Sequence, residues 1–307
     1  MKTKMAVGLM LVFVTHFILM HAGAAEMTLE RARAAAEKGD AKGLYSLGKR
    51  YEKGDGVSQD YAQAAEYYRQ SAEKDFAFAQ TDLAALYMKG SGVAQDYGKA
   101  AYWYRKAAAN GDAVAQYAMG MLYMEGQGVI GDMQEALRWY RKAAEQNQSD
   151  AMLALGDSYL NGSGGIPIDF KLALKWYQMA ARRGSLTALT SLGFIYENGS
   201  HGVEPDSTRA LKYYREAAEK GDPRGQMNLG RVYQDGVGVK IDLVQAYKWF
   251  YAASKNGNRI ADHYLHELEY EARLNKIALN SDQMADAQRQ AGTYIRSKSA
   301  STKQAKN

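Results

Sequence analysis

The stretch "GDGVSQDYAQAAEYYRQSA", residues 54–72, reads as a tight glycine turn followed by an amphipathic helix, and the chain returns to it five more times. The copies are "GSGVAQDYGKAAYWYRKAA" from 90, "GQGVIGDMQEALRWYRKAA" from 126, "GSGGIPIDFKLALKWYQMAA" from 162, "GSHGVEPDSTRALKYYREAA" from 199 and "GVGVKIDLVQAYKWFYAAS" from 236. The spacing is 36 residues, lengthened to 37 for the last two steps. A fixed period of this size means one supersecondary unit stacked on copies of itself.

Within each unit the residue types follow helix logic. A Tyr recurs in the first helix at Tyr51, Tyr87, Tyr123, Tyr159, Tyr196 and Tyr233. Four residues earlier stand Leu47, Leu83, Met119, Leu155, Leu192 and Leu229, on the same helical face. Gly48, Gly120, Gly156, Gly193 and Gly230 follow the Leu or Met, with Ala84 in the second unit. Gly inside a helix costs about 1 kcal/mol relative to Ala, so its retention predicts close approach of the partner helix.

Turn glycines from Gly54 to Gly236 suit left-handed caps. Asp60, Asp96, Asp132, Asp169, Asp206 and Asp242 each precede the second helix, where a carboxylate accepts from free amides. Their period marks them as N-caps rather than as an array of acids or metal ligands. Aromatic pairs such as Tyr67-Tyr68 and Trp103-Tyr104 then form a core stripe rather than a stacking platform for bases.

The expected architecture is all-α, a right-handed α/α superhelical solenoid of six helix-turn-helix repeats with terminal capping helices. The repeats fall at 40–74, 75–110, 111–146, 147–183, 184–220 and 221–257. Residues 25–39 supply an N-terminal capping helix and 258–295 C-terminal capping helices. Solenoid ends need such polar outer faces.

Lys2 and Lys4 precede an apolar run from Met5 to Met20, and Ala22-Gly23-Ala24 supplies small residues for cleavage. Residues 1–24 therefore read as a secretory signal peptide. The run contains Thr15 and His16 and is short of the roughly 20 residues that span a bilayer, so no stable span is expected after cleavage. There is no Cys, so stability rests on packing rather than disulfides.

The formal charge of +5 does not mark a nucleic-acid binder. Two of the basic residues lie in the leader and four in "RSKSASTKQAKN", residues 296–307, a basic tail of solvated, disordered composition. What remains is close to neutral and carries no basic stripe.

The succession of Leu-Gly, Tyr, paired Gly, Val, Asp, Ala, Trp-Tyr, Lys-Ala-Ala and Gly resembles the Sel-1-like repeat family, relatives of the tetratricopeptide solenoids, over about 220 residues. A cysteine-rich branch of that family is associated with penicillin binding and β-lactam hydrolysis; a chain without Cys does not look like one of its members.

Signs of catalysis are sparse. His263 and His266 are three apart on one helix with Glu267 beside them, a two-ligand spacing without an evident third ligand, and they read as solvated helix residues. No nucleophile sits at a strand-to-helix elbow, and the glycine turns lack the Lys and Ser or Thr of a phosphate loop. No enzyme activity, cofactor or metal is expected.

The resemblance implies a concave groove lined by first-helix residues at minus five, minus two, plus two and plus five from the Leu of Leu-Gly. In the first unit these are Lys42, Tyr45, Lys49 and Glu52. The candidate partner-binding residues are Phe78, Thr81 and Met88 in the second unit, Val114, Tyr117, Met121 and Met124 in the third, and Leu153, Asp157 and Leu160 in the fourth. Phe194 and Arg231 extend the set into the fifth and sixth.

An apolar, Met-bearing patch flanked by charge suits a protein or peptide partner. In a tight superhelix the same residues would pack on neighbouring first helices instead. The expectation is a monomeric, periplasmic or secreted bacterial scaffold. The alternative is an envelope enzyme or a cell-wall glycan-binding protein.

Overall fold

The computed structural model describes residues 27–199 and 202–295. The signal-peptide segment 1–24 and the basic tail 296–307 lie outside the described residues. Fifteen α-helices and no strand element occur among the described residues, an all-α helical repeat fold.

The chain divides into two compact units, residues 1–143 and 144–307. In the first, α1 (Leu29–Glu37) precedes α2 (Ala41–Lys53), α3 (Tyr61–Ala72), α4 (Ala77–Lys89), α5 (Tyr97–Ala109) and α6 (Ala113–Glu125), and α7 (Met133–Glu145) runs through the boundary. The second holds α8 (Ser149–Asn161), α9 (Phe170–Arg182), α10 (Leu186–Asn198), α11 (Ser207–Glu219), α12 (Pro223–Asp235), α13 (Leu243–Lys255), α14 (Arg259–Arg273) and α15 (Ser281–Ala291). Helices pack chiefly on their neighbours in sequence, except that α15 returns to lie against α13.

Each repeat starts and stops its helices by the same chemistry. The six aspartates cap their helices: Asp60 accepts from the amides of Ala62 and Gln63, Asp132 from Gln134 and Glu135, and Asp96, Asp169, Asp206 and Asp242 from Lys99, Leu172, Arg209 and Gln245. First helices end on left-handed glycines, as at Gly54 and Gly236, whereas Gly199 adopts an extended ψ of 163° where the turn is one residue longer.

The second turn glycine has a packing role. A Cβ on Gly92 would stand 2.2 Å from the Tyr61 carbonyl carbon, and one on Gly128 2.1 Å from the Tyr97 oxygen. The turn of one repeat therefore lies directly on the start of the preceding repeat's second helix.

Helix glycines mark where the paired helices meet. A Cβ on Gly48, Gly120, Gly156, Gly193 or Gly230 would fall 2.4 to 2.6 Å from the nearest ring atom of Tyr68, Tyr140, Tyr177, Tyr214 or Phe250. Those rings, second members of the aromatic pairs, are fully buried. Burying a large apolar side chain contributes about 1.5–3 kcal/mol, so this ring-on-glycine contact, repeated along the chain, is a principal source of stability.

Between successive repeats of the same unit, the C-terminal turn of the second helix meets the first turn of the next first helix. Gly43 leaves room for Ala35, and Gly225 for Ala217; Ala79, Ala115 and Ala188 hold the same place, fully buried.

Candidate functional site

The first helices place the groove residues by their 3.6-residue pitch, and the two units expose them differently. In the first unit Val114 and Met124 on α6 are 53% and 45% exposed, while Phe78, Met88, Tyr117 and Met121 are half-buried. Thr81, expected on this surface, is only 8% exposed. It occupies a buried position of α4 and presents little surface to a partner.

In the second unit Phe194 is 49% exposed, Asp157 is exposed, and Leu153, Leu160 and Arg231 are half-buried. Arg231 is already engaged: its Nη2 donates to both oxygens of Glu197 at 2.6 Å.

A second pattern uses the same face. The buried tyrosines that sit over the helix glycines send their hydroxyls back to the first helix, where Tyr68 donates to Glu52 at 2.7 Å, Tyr177 to Asp157 at 2.5 Å and Tyr214 to Glu197 at 2.8 Å. Tyr140 instead reaches Met124 Sδ at 3.7 Å. Burial, joined by the charge of the facing carboxylates, holds the hydroxyls of Tyr68 and Tyr214 far above the ordinary tyrosine range, so they stay protonated and able to donate.

One cluster of charges in the first unit lies on this face, around Lys49. Lys49 donates to Glu52 at 2.9 Å, and its ammonium lies 3.4 Å from Asp82 Oδ2, within ion-pair range but off the line of a hydrogen bond. Burial and the charge of Glu52 raise the Asp82 carboxyl against the opposing pull of Lys49 and a bond from Tyr45. Burial works to raise Glu52 too, but bonds from Tyr68 and Lys49 together with the Lys49 charge outweigh it and the net shift is downward. Beside them Tyr45 packs on Phe76 at 5.2 Å and Phe78 at 6.2 Å between ring centroids, and Phe76 meets Phe78 at 5.7 Å.

Two structural devices escaped the sequence reading. The side-chain amides of Gln80, Gln116 and Gln226 are buried and donate to the carbonyls of Ala72, Ala108 and Ala218, clasping the end of the preceding second helix. Gln59 and Gln95 donate to the carbonyls of Glu52 and Met88 at the ends of α2 and α4. The signal was the recurrence of Gln three residues before Leu or Met and one before Asp, visible once the repeats are aligned on each other.

No metal centre takes shape here. Among the described residues no three His, Cys, Asp or Glu side chains converge, and His263 and His266 on α14 gain no third ligand.

The Sel1 repeat pattern matches six consecutive times, at residues 41–76, 77–112, 113–148, 149–185, 187–222 and 223–258. The chain belongs to the Sel1 repeat family. Among solved structures it is similar to a protective antigen of uropathogenic Escherichia coli strains that displays an SLR fold, with 34% identity over 86% of this chain and a TM-score of 0.75. That alignment takes in 56% of the antigen, so the chain spans just over half its length. It is also similar to a Sel1 repeat protein of Oxalobacter formigenes, with 32% identity over 78% of this chain and 95% of the other, at a TM-score of 0.68. No curated protein matches the chain. Sel1 repeat proteins are typically non-enzymatic and generally mediate protein–protein interaction. Among the described residues no helix is long and apolar enough to cross a membrane.

Proposed function

We propose that this Sel1 repeat protein is a non-enzymatic scaffold that holds a segment of a partner protein against its first-helix faces. The observation that carries the reading is the exposure of Val114 and Met124 on α6, beside half-buried Met121. The fold leaves Val114 and Met124 about half exposed, with the Sδ of Met124 accepting from the Tyr140 hydroxyl. Met side chains adapt to varied partner surfaces, and an apolar strip with a charged margin is the composition of an interaction site. The Asp157 and Arg231 positions act chiefly in support of the helices they bond to, and the contact is led by Val114, Met121 and Met124 of the first unit.

The leader-like start of the sequence and the likeness to a protective antigen support a periplasmic or secreted setting and work on an envelope or host partner. The test is affinity capture with the chain lacking residues 1–24, run beside a Val114→Glu/Met124→Glu variant of unchanged helicity. One protein held by the wild type and lost by the variant is the expected outcome. Equal retention by both would refute the assignment.

A further inference from the structure

The polar and aromatic end of the first unit's face departs from the repeat pattern in three ways. The first helices α2, α6, α8, α10 and α12 begin on a polar residue whose side chain caps the backbone, namely Asp40, Asp112, Gln148, Ser185 and Asp222. At α4 that place is taken by Phe76, which makes no capping bond, although losing a cap costs about 1 kcal/mol. Phe76 instead joins Tyr45 and Phe78 in a half-buried aromatic cluster.

Charge is also out of balance there. Lys49 alone stands among Glu52 and Asp82, and the field of Asp112 reaches the same Tyr45, while exposed Lys89 acts on Glu52 from outside. Finally, two neighbouring polar atoms on α4, Asp82 Oδ2 and the hydroxyl of buried Thr81, have no hydrogen-bond partner among the described residues. The counterpart of Thr81 in the fifth repeat, Thr190, bonds to Asp222 Oδ1 at 3.0 Å. Buried polar atoms are ordinarily satisfied; Thr81 lacks the acceptor that Thr190 finds in Asp222, and Asp82 Oδ2 lacks a donor.

We propose that Tyr45, Phe76 and Phe78, with the carboxylates of Glu52 and Asp82, form a subsite for one Lys or Arg side chain of the bound partner segment. The inference rests on the first-helix faces being the interaction surface. The Glu52 and Asp82 side chains remain 28% and 27% exposed, so an incoming cation meets their open edges, while Asp82 Oδ2 itself lies buried behind them. A Lys or Arg stem lays its methylenes along the rings while its head group supplies the missing positive charge. Apolar residues of the same segment then follow over Met88 and Met121.

The test is a random twelve-residue peptide library displayed on phage, selected against the full chain and checked against the Val114→Glu/Met124→Glu variant. Binders carrying Lys or Arg at one fixed position are expected, with loss of about tenfold in Kd when an Arg there becomes citrulline. That gap should close in Asp82→Asn and in Glu52→Gln, two near-isosteric variants checked for native helicity. Binders that need Val114 and Met124 but show no basic position, or whose citrulline gap survives both variants, overturn the subsite and leave the surface reading standing. Binders indifferent to Val114 and Met124, or none at all, overturn both.

Discussion

Glu52 and Asp82 face the same ammonium and are shifted in opposite directions, which gives their titration opposite effects on stability. The Asp82 carboxyl is raised chiefly by burial and then by Glu52, so the fold prefers it protonated. Its contribution is fully present below the unfolded value near 3.9 and is lost as pH rises through the folded value. The Glu52 carboxyl is lowered, because the bonds from Tyr68 and Lys49 overcome its burial. Its contribution is present above the unfolded value and is lost as pH falls through the folded one. Asp82→Asn should therefore melt higher than the wild type near neutrality, with the difference fading on acidification. Glu52→Gln should melt lower near neutrality, and that difference should fade in acid as well. Thermal melts from about pH 3 to pH 8 read both signs. Shifts of the same sign would refute the assignment of the two environments. A carboxyl whose ionisation costs stability is the pattern expected of a residue retained for binding.

At the scale of the helix pair, ring-on-glycine packing sets two effects against each other. Gly120→Ala gains about 1 kcal/mol of helix propensity, yet its methyl would stand 2.4 Å from the ring of Tyr140, which is sealed in the core. Overpacking of this kind costs about 1–3 kcal/mol, so a net loss is expected in urea unfolding, against about 1 kcal/mol for Asp169→Ala through its cap. A stabilised Gly120→Ala would show that Tyr140 can move aside. These features are legible in the sequence because they are local and periodic: Asp before the second helix, Gly after the first, Leu and Tyr four apart. The burial of Thr81 was not legible, since spacing marks a helical face but not how closely the next helix covers it. Nor was the pairing of Tyr177 with Asp157, or of Arg231 with Glu197. Those bonds join residues 20 and 34 apart in sequence, so they engage Asp157 and Arg231 within the fold as well as on its surface.

At the scale of the whole molecule, the dominance of contacts between sequence neighbours decides how damage spreads. In such a stack, stability is close to a sum of repeat and nearest-neighbour terms, so a lesion should loosen its own repeats first. Leu83 is buried between α3 and α4 in a cluster with Tyr68, Ala79 and Leu86, all in the first unit. Leu229 is buried in the second unit with Tyr214, Val232 and Trp249. Truncating either to Ala removes about 2–5 kcal/mol. Hydrogen exchange should then rise most in α3 to α5 for Leu83→Ala, with α12 and α13 near their wild-type protection, and the reverse for Leu229→Ala. The second unit has one further tie that biases the outcome. The amides of Gln226 and Asn256 donate to the carbonyl of Tyr294, whose ring packs on Trp249 at 4.6 Å, so the segment after α15 is fastened to α12 and α13. Loss of Leu229 should loosen that segment together with α12, whereas loss of Leu83 should leave it closed. Uniform acceleration of exchange in every helix by either variant would mean that the repeats unfold as one cooperative body, and the nearest-neighbour account would fail.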